Sequence, residues 1–266
     1  PRCKMIEKSI KIDRGNIYYW INENNSSNAI VFLHGLTVDH TLFDMQVEFF
    51  SKDYKVITID LPLHGKSIEY DDFSIDNVAN DLASLIKNEG ISRYAVIGQS
   101  AGGYFAQQLA NIDSKAACFI GVDTSPLGKD NYKSLDLFWI KHFSYFASFY
   151  PYNYYCKISS KQAAITNNGR KNMYDALIKL GKKNMLVASY KVYNSFANHE
   201  NVELNCPVLL IYGDCDKVGY VKKYNDLWNK NKNYPIEIIP NAGHNSNYDN
   251  YNYFNEIVNN FIKNIV

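Results

Sequence analysis

The segment AVIGQSAGGYFAQQL, residues 95–109, decides the fold of this chain. It begins as an apolar run, passes through a Gly-x-Ser-x-Gly turn centred on Ser100, and continues as a helix-like stretch. Gly98 and Gly102 have no Cβ, which permits a sharp turn and close packing of helix on strand. This order of strand, turn and helix is typical of a turn that holds a serine hydroxyl at the end of a buried strand. Ser100 is therefore a candidate nucleophile.

Other short apolar runs predict further strands. Two runs flank Arg14 and Gly15 and predict a hairpin. Later runs are short, rich in β-branched residues and nearly continuously apolar, which is typical of strands buried on both faces of a parallel sheet. They lie at residues 29–35, 54–62, 94–100, 116–124, 207–214 and 236–243.

Helical patterns separate many of these runs. Residues 74–90 place their apolar side chains on one helix face, with Ser74 as a cap at the start and Gly90 at the end. Residues 249–265 repeat the pattern. The alternation predicts an α/β fold, in which a mostly parallel twisted sheet is covered by helices on both faces.

One region interrupts this alternation. Residues 127–203 show no buried strand, are helix-like and rich in aromatic residues, and are too long for a loop. We interpret them as a helical cap inserted between the sixth and seventh strands. The cap would divide the α/β core into a first part, residues 1–126, and a second part, residues 204–266.

Composition limits the classes of function. The 266 residues are 46% apolar and carry a net charge of +1, which argues for a packed core and not for a nucleic-acid partner or a charged membrane surface. The five cysteines are scattered without metal-ligand or disulfide spacing. The first residues show no signal peptide, and no apolar run is long enough for a membrane span. We expect a cytoplasmic protein without stable membrane insertion, metal or organic cofactor.

A serine hydroxyl needs a base, and six histidines are available. His244 is favoured because it follows the last predicted strand in a loop before the final helix. His34 and His64 each precede a glycine and fit loops that shape the backbone. The remaining three are His40, His142 and His199.

The histidine in turn needs a carboxylate, which fixes its tautomer and stabilises its charged form. Asp216 is favoured because it lies just beyond the strand at residues 207–214 and gives the order Ser, Asp, His along the chain. Asp214 and Asp123 remain alternatives. Asp214 fits a turn, whereas Asp123 ends another strand that could reach the site.

An acyl transition state also needs donors for its oxyanion. The N–H of Ala101, at the positive end of the helix that begins there, is one candidate. The N–H of Leu36, in the loop after FLHG, is the other. Both are backbone groups, so their side chains are incidental.

Together, FLHGL (32–36), DLPLHGKS (60–67), GQSAGG (98–103), YGDCD (212–216) and AGH (242–244) resemble the α/β-hydrolase superfamily over almost the whole chain except the cap. The resemblance implies the same three groups: Ser100 as nucleophile, Asp216 as acid and His244 as base. It also implies that a serine at position 100 argues against epoxide hydrolases and haloalkane dehalogenases. One departure is Leu63, which stands where the family's loop has its first glycine, so we expect a somewhat different turn there.

These features predict a serine hydrolase that cleaves a carboxylic ester or thioester through an acyl-enzyme. The aromatic cap favours a small, largely apolar substrate. Carbon–carbon bond hydrolysis or lyase chemistry on the same triad, or a receptor-like protein that binds a ligand with little turnover, are the alternatives.

Overall fold

The computed structural model describes residues 4–266, and these contain eight strands in a single sheet. The strands are β1 (Met5–Ile12), β2 (Gly15–Asn22), β3 (Asn28–Leu33), β4 (Lys55–Ile59), β5 (Arg93–Gln99), β6 (Ala116–Val122), β7 (Val208–Gly213) and β8 (Ile236–Ile239). Their order across the sheet is β1-β2-β4-β3-β5-β6-β7-β8. β1, β2 and β4 pair antiparallel, and all other pairs are parallel. The predicted hairpin and the mostly parallel sheet are confirmed.

Helices cover both faces of this sheet. They are α1 (Asp44–Phe50), α2 (Ile75–Asn88), α3 (Gly102–Ile112), α4 (Ser134–Lys141), α5 (Phe143–Ser148), α6 (Tyr152–Ala163), α7 (Asn167–Asn198), α8 (Val221–Lys232), α9 (Ser246–Asp249) and α10 (Tyr251–Ile262). Alternate residues of β3 point to opposite faces. Val31 packs in a core with α2 and α3, and Phe32 packs in a second core with α1 and α10. The α/β fold class is therefore confirmed.

The predicted caps and turns are found at several element ends. The Ser74 hydroxyl accepts a hydrogen bond from the N–H of Asn77 and begins α2. Leu63 has a φ of 72°, so this leucine takes the left-handed backbone that favours glycine. The turn around it is closed by a 2.8 Å hydrogen bond from Leu63 N to Ser67 O.

Four helices, α4 to α7, separate β6 from β7. We call this helical segment the insertion. It has no strand within the described chain, as expected for residues 127–203, whereas its extent as a separate domain stays a prediction. α7 is bent at Gly181, whose φ of 79° is not helical. None of the helices within residues 4–266 combines the length and the apolar character that crossing a bilayer requires.

Substitution of Gly102 tests how tightly α3 packs on the sheet. A Cβ at Gly102 would overlap the carbonyl oxygens of Leu33 and His34, at the end of β3, whereas a Cβ at Gly90 would meet open space. Gly102→Ala should therefore lower the free energy of unfolding by about 3 kcal/mol, because rigid backbone must move. Gly90→Ala should cost only about 1 kcal/mol, the strain of its left-handed backbone. Urea unfolding of both variants measures the difference, and equal losses would contradict a close approach at Gly102.

Candidate active site

Ser100 stands at the tip of the turn between β5 and α3. Its φ of 51° is left-handed, a conformation that costs a non-glycine residue roughly 1–2 kcal/mol and persists only where the surroundings enforce it. The enforcement comes from the end of β6. Ser100 N donates to Val122 O at 2.8 Å, and Thr124 Oγ1 donates to Ser100 O at 2.6 Å. The backbone at both sides of the serine is thus fixed.

The structure brings Ser100, His244 and Asp216 together in one hydrogen-bonded line. His244 Nε2 lies 2.8 Å from Ser100 Oγ, and His244 Nδ1 lies 2.9 Å from Asp216 Oδ2. The three side chains come from the loops after β5, β8 and β7, which end at the same edge of the sheet. An ionised Asp216 accepts a hydrogen bond from Nδ1–H, which leaves Nε2 without a proton and able to accept a hydrogen bond from the serine hydroxyl.

Asp216 also sets the charge preference of the imidazole. Burial alone would lower the pKa of His244, because a charged ring loses its hydration. The carboxylate of Asp216 outweighs this effect by its charge and hydrogen bond, and it raises the pKa of His244 above the ordinary histidine value. Imidazolium is therefore stabilised at this position.

The loop that carries His244 is anchored from beneath. Gln99, the residue before Ser100, donates from Nε2 to His244 O at 2.8 Å. Ser246 donates from both N and Oγ to Asp123 Oδ2, at 3.1 and 2.6 Å. These hydrogen bonds from Gln99 and Ser246 thus fix the position of the histidine loop relative to the sheet.

A second anchor joins the same loop to the insertion. The carboxylate of Asp249 accepts from the N–H groups of Gly243, Ile165 and Thr166 at 2.9–3.0 Å. Asn245 N donates to the carbonyl oxygen of Ala163 at 2.7 Å. The corner between α6 and α7 and the histidine loop therefore share one hydrogen-bonded network.

The two alternative carboxylates, Asp123 and Asp214, make other hydrogen bonds. Asp123 is fully buried and accepts from Gly213 N and Ser246, so it ties β7 and the histidine loop to the end of β6. Burial and the neighbouring charge of Asp216 raise the pKa of Asp123 well above that of an ordinary carboxyl group. Asp214 accepts from Ala242 N at 3.2 Å, in keeping with a role in the turn. The carboxylate hydrogen-bonded to His244 Nδ1 is that of Asp216.

His34 and His64 shape the loops beneath the site. His34 accepts a hydrogen bond from Leu61 N at Nε2 and contacts Gly35 O through Nδ1, so it bridges two loops as a neutral ring. Burial lowers the pKa of His34, and it lowers that of His64 to about 3. Both rings are neutral at physiological pH, as expected for structural histidines.

The other three histidines are occupied away from Ser100. His40 contacts Asp60 and stacks on Trp20 with 3.4 Å between ring centroids. His142 bonds the carbonyl of Phe138, and His199 bonds that of Glu200.

The two candidate oxyanion donors belong to the turn after β5 and to the loop after β3. Ala101 immediately precedes α3, and Leu36 lies in the loop after β3 and lines the cavity above Ser100. Within the described chain, neither the N–H of Leu36 nor that of Ala101 donates to another protein atom. Both amides are therefore available to a bound oxygen.

A cavity of about 450 Å³ opens above Ser100 and His244. Its floor comes from the loops after β3, β5 and β8, and its walls come from α5, α6 and α7 of the insertion. More of the wall is apolar than polar: Phe143, Phe146, Ile158 and Met173 are apolar, and polar groups come from Ser159, Gln162 and four tyrosines. A volume of this size is within the range of small-molecule sites.

Several residues that shape the site were not predicted. Gln99 and Ser246 hold the histidine loop, and Tyr155 and Tyr193 line the cavity. The signal available in the sequence was weak: Gln99 is a polar residue at the end of an apolar strand. The partners of these residues lie more than a hundred positions away along the chain, so sequence spacing does not indicate them.

Part of the chain matches a known protein family. Residues 28–155 match the family described as alpha/beta hydrolase fold. A magnesium-chelatase 30 kDa subunit of Rhodobacter capsulatus is 32% identical over 115 residues, which are 42% of this chain and 40% of that protein. The chain thus spans about two fifths of the length of that relative. It also spans about two fifths of a putative esterase/lipase of Haemophilus influenzae.

A longer match extends over most of the chain. The pimeloyl-[acyl-carrier protein] methyl ester esterase of Wigglesworthia glossinidia brevipalpis is 26% identical over 247 residues, covering 85% of this chain and 90% of that protein. Among solved structures, a thermophilic esterase from Thermogutta terrifontis superposes with a TM-score of 0.80. It is 16% identical and covers 98% of this chain and 99% of its own, so it shows the shared fold.

The protonation of His244 can be measured directly. Asp216→Asn removes the negative charge that stabilises the imidazolium, so the pKa of His244 should fall. Nuclear magnetic resonance titration of the histidine ring nitrogens reports this pKa. Asp214→Asn is the matched control and should leave it unchanged. A pKa of His244 that responds to Asp214 and not to Asp216 would contradict the geometry described above.

Proposed function

We propose that this chain, which shares the α/β-hydrolase fold and matches that family over residues 28–155, is a serine hydrolase that cleaves a carboxylic ester or thioester through an acyl-enzyme. The observation that carries the proposal is the line of hydrogen bonds from Ser100 Oγ through His244 to Asp216. A nucleophile, a base within hydrogen-bond reach and a group that orients the base are the requirements of this chemistry.

In the first half of the reaction, Ser100 Oγ attacks the carbonyl carbon of the ester while His244 Nε2 accepts the hydroxyl proton. The carbonyl π electrons move to the oxygen, which becomes an oxyanion. The N–H groups of Leu36 and Ala101 donate to this oxyanion, and the amino end of α3 adds its positive partial charge. The tetrahedral intermediate then collapses, and the alcohol or thiol leaves with the proton from His244.

In the second half, water replaces the departed alcohol. His244 Nε2 removes a proton from this water, and the hydroxide oxygen attacks the acyl carbon. The second tetrahedral intermediate uses the same oxyanion donors. Its collapse breaks the bond to Ser100 Oγ, which recovers the proton from His244, and the carboxylic acid is released.

Asp216 acts through His244 in both halves. Its carboxylate holds the tautomer in which Nε2 can accept a proton, and it stabilises the imidazolium that forms. The same stabilisation of the imidazolium raises the pKa of His244. Asp123 has a positioning role, because it holds the histidine loop through Ser246.

The cavity supports an uncharged acyl group of small to medium size. Its walls are mainly apolar, and its volume of about 450 Å³ exceeds what a short acyl chain fills. The names of two similar proteins, an esterase of a pimeloyl methyl ester and a thermophilic esterase, also support ester hydrolysis.

An active-site probe tests the nucleophile. A fluorophosphonate should label Ser100 covalently in the wild-type protein, and mass spectrometry of the digest locates the adduct. Ser100→Ala should abolish labelling and lower kcat/KM for an ester by roughly 10⁴-fold or more, because the nucleophile is lost. His244→Ala should also abolish labelling, since the serine then has no base.

Ser159→Ala is the matched control, because Ser159 lines the same cavity. It should keep the labelling of the wild-type protein. A folded wild-type protein that remains unlabelled would contradict the hydrolase proposal and favour a ligand-binding function.

An ester panel tests the substrate class. p-Nitrophenyl butyrate or octanoate should be hydrolysed with a kcat/KM at least about tenfold above that of the charged succinate monoester, because an apolar wall cannot solvate the carboxylate. Ile158→Phe narrows the cavity and should lower the rate ratio of octanoate to butyrate. Ile178→Phe, at an exposed position outside the cavity lining, should leave that ratio unchanged. Preference for the charged ester would contradict the proposed class.

A further inference from the structure

The insertion exposes a group of large apolar side chains. Eight such residues between positions 135 and 154 are 40–69% exposed, which is unusual for side chains of this size close together. We call them the mouth surface: Leu135, Phe138, Trp139, Tyr145, Phe146, Phe149, Tyr150 and Tyr154. They belong to α4, α5, the start of α6 and the short connection before α6.

The rings of the mouth surface touch one another. Trp139 and Phe146 have ring centroids 5.4 Å apart, Tyr145 and Phe146 are 5.5 Å apart, and Tyr145 and Phe149 are 5.1 Å apart. These contacts join α4 to α5. The exposed rings thus form a continuous patch, not isolated side chains.

The patch is continuous with the cavity above Ser100. Phe146, Tyr150 and Tyr154 belong to the mouth surface and also line the cavity. Lys182, next to the bend in α7, donates from Nζ to the carbonyl oxygens of Ser148 and Tyr150 at 2.8 and 3.0 Å. The apolar surface therefore rims the entrance to the cavity, and α7 holds it in place.

The insertion has a strongly positive net charge. Residues 134–198, from the start of α4 to the end of α7, contain nine lysines and arginines and two acidic residues, Asp136 and Asp175, so their net charge is +7. Asp136 is paired with Lys223, and Asp175 with Lys171. Because the whole chain carries +1, the remaining residues carry −6. The net charge of the whole chain argued against a charged membrane surface, but it does not reveal that positive charge is concentrated in the insertion.

Two of these lysines follow the mouth surface along α6. Tyr154, Lys157 and Lys161 are spaced three and four residues apart, so they lie on one face of the helix. All three are exposed, and neither lysine forms an ion pair within the described chain. Their ammonium groups are available to an outside anion.

We propose that the mouth surface docks this protein peripherally on an anionic lipid bilayer, with the entrance of the cavity facing the lipid. Tryptophan, tyrosine and phenylalanine rings favour the boundary between headgroups and acyl chains. Lysines beside them are attracted to anionic headgroups. Association of two copies through the same face would bring together two insertions that each carry a net charge of +7, so the charge favours an anionic partner. This binding is independent of turnover and goes beyond the proposed function.

Vesicle flotation tests the proposal. The wild-type protein should float with vesicles of equal parts phosphatidylcholine and phosphatidylserine, float much less with pure phosphatidylcholine, and be released by high salt. Trp139→Ser combined with Phe149→Ser should lower the partition coefficient by about tenfold, because apolar area no longer enters the interface. Lys157→Glu combined with Lys161→Glu should lower it at least about tenfold through lost attraction.

Matched variants lie outside the insertion. Tyr253→Ser removes an exposed ring from α10, and Lys230→Glu with Lys263→Glu reverses two exposed charges on α8 and after α10. These should bind like the wild-type protein, and thermal unfolding checks that every variant is folded. Equal binding to both kinds of vesicle, or equal losses in the control variants, would overturn the proposal. So would a dimer in analytical ultracentrifugation that Trp139→Ser dissociates, because the surface would then belong to a second copy.

Discussion

The close approach of α3 to the ends of β3 and β5 is the constraint on which the rest of the site depends. Gly102 lies against the carbonyl oxygens of Leu33 and His34, and Gly98 lies against the first turn of α3. With the helix this close, the chain must turn within two residues, and Ser100 takes a left-handed backbone. Gly35, next to Leu36, lies against Gln99 and Ser100, so the loop after β3 is close to the same turn. These packing contacts fix the serine and the backbone segments that carry the two candidate amides.

Much of this framework could be predicted from the sequence, because it rests on local patterns. Short apolar runs indicated the hairpin and the buried strands, and Ser74 marked the start of α2. The glycines around Ser100 indicated the turn. The order of strands also led to Asp216 and His244, since loops at the carboxyl ends of parallel strands meet at one edge of a sheet. The side chains that the structure brings together here, Ser100, His244 and Asp216, are the three predicted as a set.

What could not be predicted depends on contacts between distant parts of the chain. The hydrogen bonds from Ser246 to Asp123 and from Gln99 to His244 join residues that no periodic pattern relates. The insertion was expected to be helical, but its bend at Gly181 and the exposure of Trp139 and its neighbours depend on how the helices pack. The sequence of a helix shows which side chains are apolar. It does not show which of them stay exposed to solvent after the helices pack.

The network around Asp249 has a mechanical consequence for the entrance. It ties the backbone at Ile165 and Thr166 to Gly243, next to His244, so this corner of the insertion cannot swing outward without displacing the histidine. The far side, at the end of α5, is held by α7 and not by the histidine loop: Lys182 donates to the carbonyls of Ser148 and Tyr150, and Phe143 packs against Tyr193. A shift of α5 would therefore break contacts within the insertion and leave the imidazole in place beside the serine.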